Sequence, residues 1–334
     1  MKKVNILLFG FLFGFLFITT SCSKDDDEVI TPVETKSEAQ ILVEYLEANG
    51  DYANTYLPAI ISAADIKAAM ATNTVFIIDI RGATAYDTAH IDYEHIANIP
   101  VANLLTYTSE NDLSSYEKIA VVCYTGQTAG YATTLLRLSG LDNAFAMLYG
   151  MSSWHADFAG SWNTNTGSLY SIQFEKDAVE KGPMGDLPTL STGKTEAIDI
   201  LDAQINSVLA GEFSGAAITN TMVMDNPENY YVVNYWAAED YNKYGHVPGA
   251  IQYTPKESMS LETDLTTLPT DKTIVVYCWT GQGSAALTTY LKVLGYDAKS
   301  LKFGANGMIY NDLEAAHQWS EASIAGYDYW HQLK

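Results

Sequence analysis

Ile119-Ala120-Val121-Val122-Cys123-Tyr124-Thr125-Gly126-Gln127-Thr128 is the stretch from which the rest of the chain is read. Its four leading apolar residues, three of them β-branched, predict a buried strand. The pattern Ala132-Thr133-Thr134-Leu135-Leu136-Arg137-Leu138, closed by Gly140, predicts a helix behind it. Cys123 therefore falls at a strand-to-helix turn, where an open α/β sheet binds its ligands. Backbone N–H groups in such a turn and the N-terminus of the next helix favour negative charge at one point. For one copy taken alone the competing reading is a packed core thiol, because free cysteine is among the most buried residue types.

The chain supplies a second copy. Ile274-Val275-Val276-Tyr277 leads into Cys278-Trp279-Thr280-Gly281-Gln282-Gly283, followed by Leu287-Thr288-Thr289-Tyr290-Leu291-Lys292-Val293-Leu294 and Gly295. The shared Thr-Gly-Gln behind each cysteine has no explanation in core packing. An offset of 155 also relates Asp79 to Asn234, Tyr86 to Tyr241, Pro100 to Pro255 and Gly140 to Gly295, so a domain is duplicated. In the first copy the strand-like runs Val75 to Ile78, Ala120 to Cys123 and Ala144 to Leu148 alternate with helical patterns. That alternation predicts an α/β fold in which each domain has a mostly parallel sheet with helices on both faces.

The pattern Cys-x-x-Gly-x-Thr after an apolar strand resembles the active-site loop of rhodanese-type sulfurtransferases. Ile77-Ile78-Asp79-Ile80-Arg81 resembles that family's Asp-x-Arg strand end, and Gly245-His246-Val247-Pro248-Gly249-Ala250 resembles its Gly-His-Ile-Pro-Gly-Ala turn. The resemblance implies two tandem rhodanese-like domains. It implies that Cys123 and Cys278 are catalytic, each attacking the outer sulfur of a donor, becoming a persulfide, and passing that sulfur to a thiol or cyanide. The loops Tyr124, Thr125, Gly126, Gln127, Thr128 and Trp279, Thr280, Gly281, Gln282, Gly283 are expected to hold the substrate, and Asp79 with Arg81 to brace the first loop.

A thiolate is the nucleophile, and helix N-termini and anion-binding loops lower a cysteine pKa, so a depressed value is expected. Thr125 and Thr280 offer hydroxyls either to bound sulfur or to their own backbone. Tyr124 and Trp279 are expected at the rim, and Gln127 and Gln282 have the weakest case for substrate contact. The copies differ. Asn234 and Trp236 replace Asp79 and Arg81, and Gly283 replaces Thr128, which favours Cys123 as the more competent site. The second copy keeps the better Gly-His turn.

Other chemistry is disfavoured. A cysteine phosphatase needs an arginine at the end of its loop, and the chain has only Arg81 and Arg137, neither of them there. No His/Cys spacing suggests a metal, and no glycine-rich phosphate loop suggests a nucleotide, so no cofactor is expected. A formal charge of −22 argues against nucleic acid and against long-range capture of a dianion such as thiosulfate. A persulfide, polysulfide or protein donor fits better. A lipid-anchored rhodanese-fold binding module without turnover, presenting its cup to a partner protein or small anion, is the alternative.

Lys2 and Lys3 precede the apolar run Ile6 to Ile18, and small residues lead to Cys22, as in a secretory signal. The cysteine at the cleavage point resembles the lipoprotein class, although Thr19 stands where an aliphatic residue is usual. The expectation is a signal over 1–21, lipidation at Cys22, an acidic tether over 22–36 and placement at the outer membrane, facing periplasm or cell surface. Domains are expected over 37–160 and 195–334, with a linker over 161–194. One cysteine for lipid and one per repeat leaves no spare pair for a disulfide framework, and Cys123 and Cys278 could bridge only if their loops faced each other. Nothing signals an obligate oligomer, so a monomer is expected.

Overall fold

The computed structural model describes residues 36–332, so the expected signal, Cys22 and tether residues 22–35 lie outside the described residues. The first repeat contributes β1 (Ile60–Ile61), β2 (Val75–Asp79), β3 (Ala89–His90), β4 (Ile96–Asn98), β5 (Lys118–Val122) and β6 (Ala144–Met147). All but β3 form one parallel sheet in the order β1-β6-β5-β2-β4. The second contributes β7 (Ala217–Ile218), β8 (Tyr231–Asn234), β9 (Ile251–Gln252), β10 (Ile274–Tyr277) and β11 (Ala298–Leu301), in the equivalent order β7-β11-β10-β8-β9. Each cysteine sits one residue past its strand; in the first copy this is one position beyond the end expected for the run Ala120 to Cys123, and in the second it is the boundary expected.

Register places the chemistry. Asp79 is the Cα partner of Val122 across β2 and β5, so Asp79 and Cys123 leave the carboxyl ends of adjacent central strands. In the second sheet Asn234 pairs with Tyr277 in the same way. Residues on β2, β5 and β10 are almost all buried, which is why these strands read as continuous apolar runs rather than alternating ones.

The longer helices are α1 (Glu38–Ala48), α2 (Ala63–Ala71), α3 (Gln127–Leu138), α4 (Ala197–Ala210) and α5 (Gln282–Val293). Helices α3 and α5, which follow the two cysteine loops, pack on each other and are buried along nearly their whole length. Helices with apolar or small residues all round suit such a position. An apolar cluster crosses from the first repeat to the second, joining Leu42, Tyr131 and Leu135 to Ile200, Leu287 and Leu291. The described residues accordingly form one compact unit.

The repeats also exchange their trailing segments. Glu175, after the first repeat, forms an antiparallel bridge with His246 of the second, while β12 (Trp330–His331) pairs antiparallel with β3 of the first, setting Trp330 opposite His90. In both places a histidine stacks on a tyrosine four or five residues earlier, His90 on Tyr86 at 4.0 Å and His246 on Tyr241 at 4.2 Å. The first copy's less regular turn therefore keeps the packing of the second.

Candidate functional site: two unequal cysteine loops

The Cys123 sulfur accepts the N–H groups of Gly126 at 3.1 Å and Ala129 at 3.3 Å, at the entry of α3. The loop turns its amides inward because its carbonyls are engaged on the other side. The Cys123 carbonyl accepts the N–H of Met151 at 2.8 Å, that of Tyr124 accepts Ser152 N–H at 3.2 Å and Ser152 Oγ–H at 2.9 Å, and that of Thr125 accepts Trp162 Nε1–H at 3.3 Å. Gly150 makes this approach possible. A Cβ there would lie 2.3 Å from the Cys123 carbonyl oxygen, and its φ of +60° is one that glycine adopts readily.

Asp79 and Arg81 form a buried pair below the loop. Arg81 Nε donates to both Asp79 oxygens at 3.0 and 3.1 Å, and Nη2 donates to Oδ2 at 2.6 Å and to the Ala89 carbonyl at 2.8 Å. The guanidinium faces the Tyr124 ring at 5.5 Å, so the brace reaches the loop through that ring, and Tyr124 stands 47% exposed at the rim. With its charge committed to Asp79, Arg81 offers an incoming donor little attraction.

The expected depressed thiol pKa is not found at Cys123. Burial pushes it up and is the largest influence; the amides of Ala129, Thr125 and Gly126 pull it down, and the Asp79 carboxylate pushes it up again. Local backbone geometry favours the thiolate as the sequence implied, but desolvation at a residue only 4% exposed outweighs it.

The second loop repeats the backbone device with different side chains. Cys278 accepts the N–H of Ser284 at 3.2 Å, the counterpart of Ala129, and its thiol lies 3.7 Å from the Ser284 hydroxyl as donor. Ala305 N–H donates to the Cys278 carbonyl at 2.9 Å, and Asn306 Nδ2–H to that of Trp279 at 2.8 Å. Trp279 is clamped between Trp236 at 3.9 Å and His317 at 3.8 Å, both rings nearly parallel to it. Trp236 thus does with a π-stack what Arg81 does with a cation. His317 covers the loop through this stack. The space left by Gly283 is taken by Pro58 of the first repeat, whose Cγ would lie 3.6 Å from a Cβ built there.

Beside the first loop that space is open. A cavity of about 830 Å³ is bounded by Arg81, Thr125 and Thr128 on one side and by Phe213, Met222 and Lys302 of the second repeat on the other. The two thiols are not bridged to each other. Among the described residues no cluster of three or more His, Cys, Asp or Glu side chains is placed to hold a metal, and no helix is long and apolar enough to cross a membrane.

The loop threonines keep to local bonds. Thr125 Oγ1 accepts from Gln127 Nε2 at 3.2 Å, and Thr280 Oγ1 from the Gln282 N–H at 3.3 Å. The glutamines do not face the sulfurs. Gln282 Oε1 accepts Tyr149 N–H at 2.7 Å and its Nε2 donates to the Met147 carbonyl at 3.2 Å, while Gln127 Oε1 accepts Phe303 N–H at 2.9 Å. Each glutamine thus holds the turn behind the other repeat's cysteine loop. Sequence reasoning missed these turns, although Tyr149-Gly150 and Phe303-Gly304 recur after the last strand of each copy.

The sequence profile of the family described as Rhodanese-like domain matches residues 62–157 and 224–309. Thiosulfate sulfurtransferase GlpE of Shewanella oneidensis is 30% identical over 82 residues, which are 25% of this chain and 77% of that protein. Among solved structures, thiosulfate sulfurtransferase from Pseudomonas aeruginosa is 18% identical, with a TM-score of 0.29, over 85% of this chain and 48% of that one. SseA from Escherichia coli, described among 3-mercaptopyruvate sulfotransferases, is 17% identical, with a TM-score of 0.26, over 79% of this chain and all of that one.

Proposed function

The chain belongs to the rhodanese-like family, with two such domains in tandem, and from that premise we propose that it transfers sulfane sulfur through a persulfide on Cys123. The observation that carries this reading is a sulfur held by two inward-facing amides in a loop whose Thr125 and Thr128 line an open cavity. The Cys123 thiol first loses its proton to solvent. Its thiolate then attacks the outer sulfur of a donor R–S–S⁻; the new S–S bond forms as the donor's bond breaks, and the leaving thiolate departs with the electron pair. An acceptor thiolate attacks the terminal sulfur of the enzyme persulfide, and Cys123 leaves as thiolate. No external oxidant or reductant is needed. The loop amides stabilise the persulfide anion.

The apolar and polar walls of the cavity favour an organic persulfide or polysulfide as donor over thiosulfate, because Arg81 is already paired with Asp79 and the other cation on the wall, Lys302, shares it with the Glu212 carboxylate. Cys278 has a different part. Its loop is covered by Trp236, Trp279, His317 and Pro58, which supports a binding or structural role for the second copy rather than turnover. The test is the rate of sulfur transfer from polysulfide to a thiol or to cyanide in Cys123→Ser and Cys278→Ser. The reading requires loss in the first and near-normal rate in the second; the reverse pattern contradicts it.

Attachment to the outer membrane through acylated Cys22 is the second part of the proposal, supported by the apolar run and small residues ahead of that cysteine. Fatty-acid labelling of the wild type that disappears in Cys22→Ser is the expected result, and equal labelling of both counts against it.

A further inference from the structure

The chain's second arginine stands apart from the Asp79 and Arg81 pair and has no counter-ion among the described residues. Arg137 lies in the last turn of α3, is 6% exposed, and makes no ion pair among the described residues. Its one hydrogen bond runs from Nη1 to the Ala144 carbonyl at 3.0 Å, and Nε is buried without a partner. A guanidinium has five N–H donors, so most of this one's capacity is unused. Rings cover it instead, with the centroids of Tyr56, Phe145 and Tyr52 at 4.8, 5.4 and 5.6 Å from Cζ. Rings and the helix C-terminus favour the cation, but neither accepts its N–H groups.

A cavity of about 530 Å³ opens beside Arg137, closed on its far side by Ile198 and Leu201 of α4. Its wall also carries the exposed carboxylates Asp142 and Asp202, neither of them within ion-pair distance of the guanidinium. Low-polarity walls strengthen a charge-assisted pair formed inside, and the fork of a guanidinium matches two oxygens on one atom. The two carboxylates act against a ligand of higher charge. We propose that this cavity binds a small carboxylate monoanion through the free donors of Arg137, as a site separate from both cysteine loops. Its ligand is recognised by one negative charge and two oxygens, with Tyr52, Tyr56 and Phe145 packing on whatever the carboxylate carries.

The probe is sodium acetate, with sodium chloride at equal ionic strength as reference and sodium sulfate as the dianion, titrated against the melting temperature of the chain from residue 36 onward. Acetate is expected to raise it saturably beyond chloride, and the part of the rise lost in Arg137→Gln, which leaves out the general stabilising effect of excluded anions, is expected to be larger for acetate than for sulfate. Arg137→Gln should weaken acetate binding by roughly tenfold or more, the loss expected for a charge-assisted pair. Asp202→Asn, at an exposed position that leaves the core intact, should tighten it. Equal responses to acetate and chloride, an acetate response that survives in Arg137→Gln, or no tightening in Asp202→Asn overturns the proposal. If Arg137→Gln does not fold, the wild-type and Asp202→Asn titrations decide. Cys123→Ser should leave the acetate response unchanged, which separates this site from the sulfur chemistry.

Discussion

The side-chain oxygen of Gln282 accepts the backbone N–H of Tyr149 at 2.7 Å, joining the second cysteine loop to the turn that shapes the first. That turn continues into Met151 and Ser152, whose N–H groups occupy the carbonyls of Cys123 and Tyr124. Gln282→Ala leaves a buried N–H unpaired and should cost ~1–3 kcal/mol of stability. It should also slow alkylation of Cys123 at fixed pH in a Cys278→Ser background, because looser carbonyls aim the amides less well. Urea unfolding and iodoacetamide kinetics check the two effects; unchanged alkylation would show that the glutamine only joins the repeats.

Arg81→Ala should be among the most damaging single changes. It strands the Asp79 carboxylate, 0% exposed, without its cation, and breaking one side of a buried pair costs ~3–5 kcal/mol. Asp79→Asn combined with Arg81→Gln should recover part of the loss, since no charge is then stranded. Denaturant midpoints of the single and double variants measure this.

Burial holds the Cys123 thiol above the value of a free thiol, so its thiolate fraction keeps rising with pH beyond the range in which an exposed thiol is fully ionised. The proton is bound more tightly in the folded than in the unfolded chain. This group's contribution to stability is therefore complete below the unfolded pKa and is lost as pH rises through the folded one. The pH profile of Cys123 alkylation should be displaced to higher pH than that of glutathione, and a profile displaced to lower pH contradicts the account.

Removing His317 should uncover the second loop. The ring stacks on Trp279 at 3.8 Å, and one aromatic contact is worth ~0.5–1.5 kcal/mol. His317→Ala should speed alkylation of Cys278 by up to roughly tenfold and leave that of Cys123 unchanged, read by peptide mapping after timed labelling.

What the sequence made legible was local. The apolar runs, the closing glycines and the repeated Cys-x-Thr-Gly-Gln are each complete within about twenty residues, and they placed both cysteines at strand ends. What it hid was held by distant partners. Gln127 and Gln282 looked idle because the backbone groups that their side-chain oxygens hold, the N–H groups of Phe303 and Tyr149, lie in the other repeat. The clamp on Trp279 draws on Trp236 and His317, and Pro58 reaches the second loop from the first repeat. The direction of the Cys123 pKa failed for the same reason: the amides that lower it are sequence neighbours, whereas the burial that raises it comes from the whole packed unit.

The most direct measurement is the intact mass and peptide map of the chain from residue 36 onward after exposure to polysulfide and removal of excess donor. The account predicts a gain of one sulfur atom on the peptide containing Cys123, discharged by added thiol and absent in Cys123→Ser. A chain that gains sulfur only on Cys278, or on neither cysteine with any donor, contradicts it.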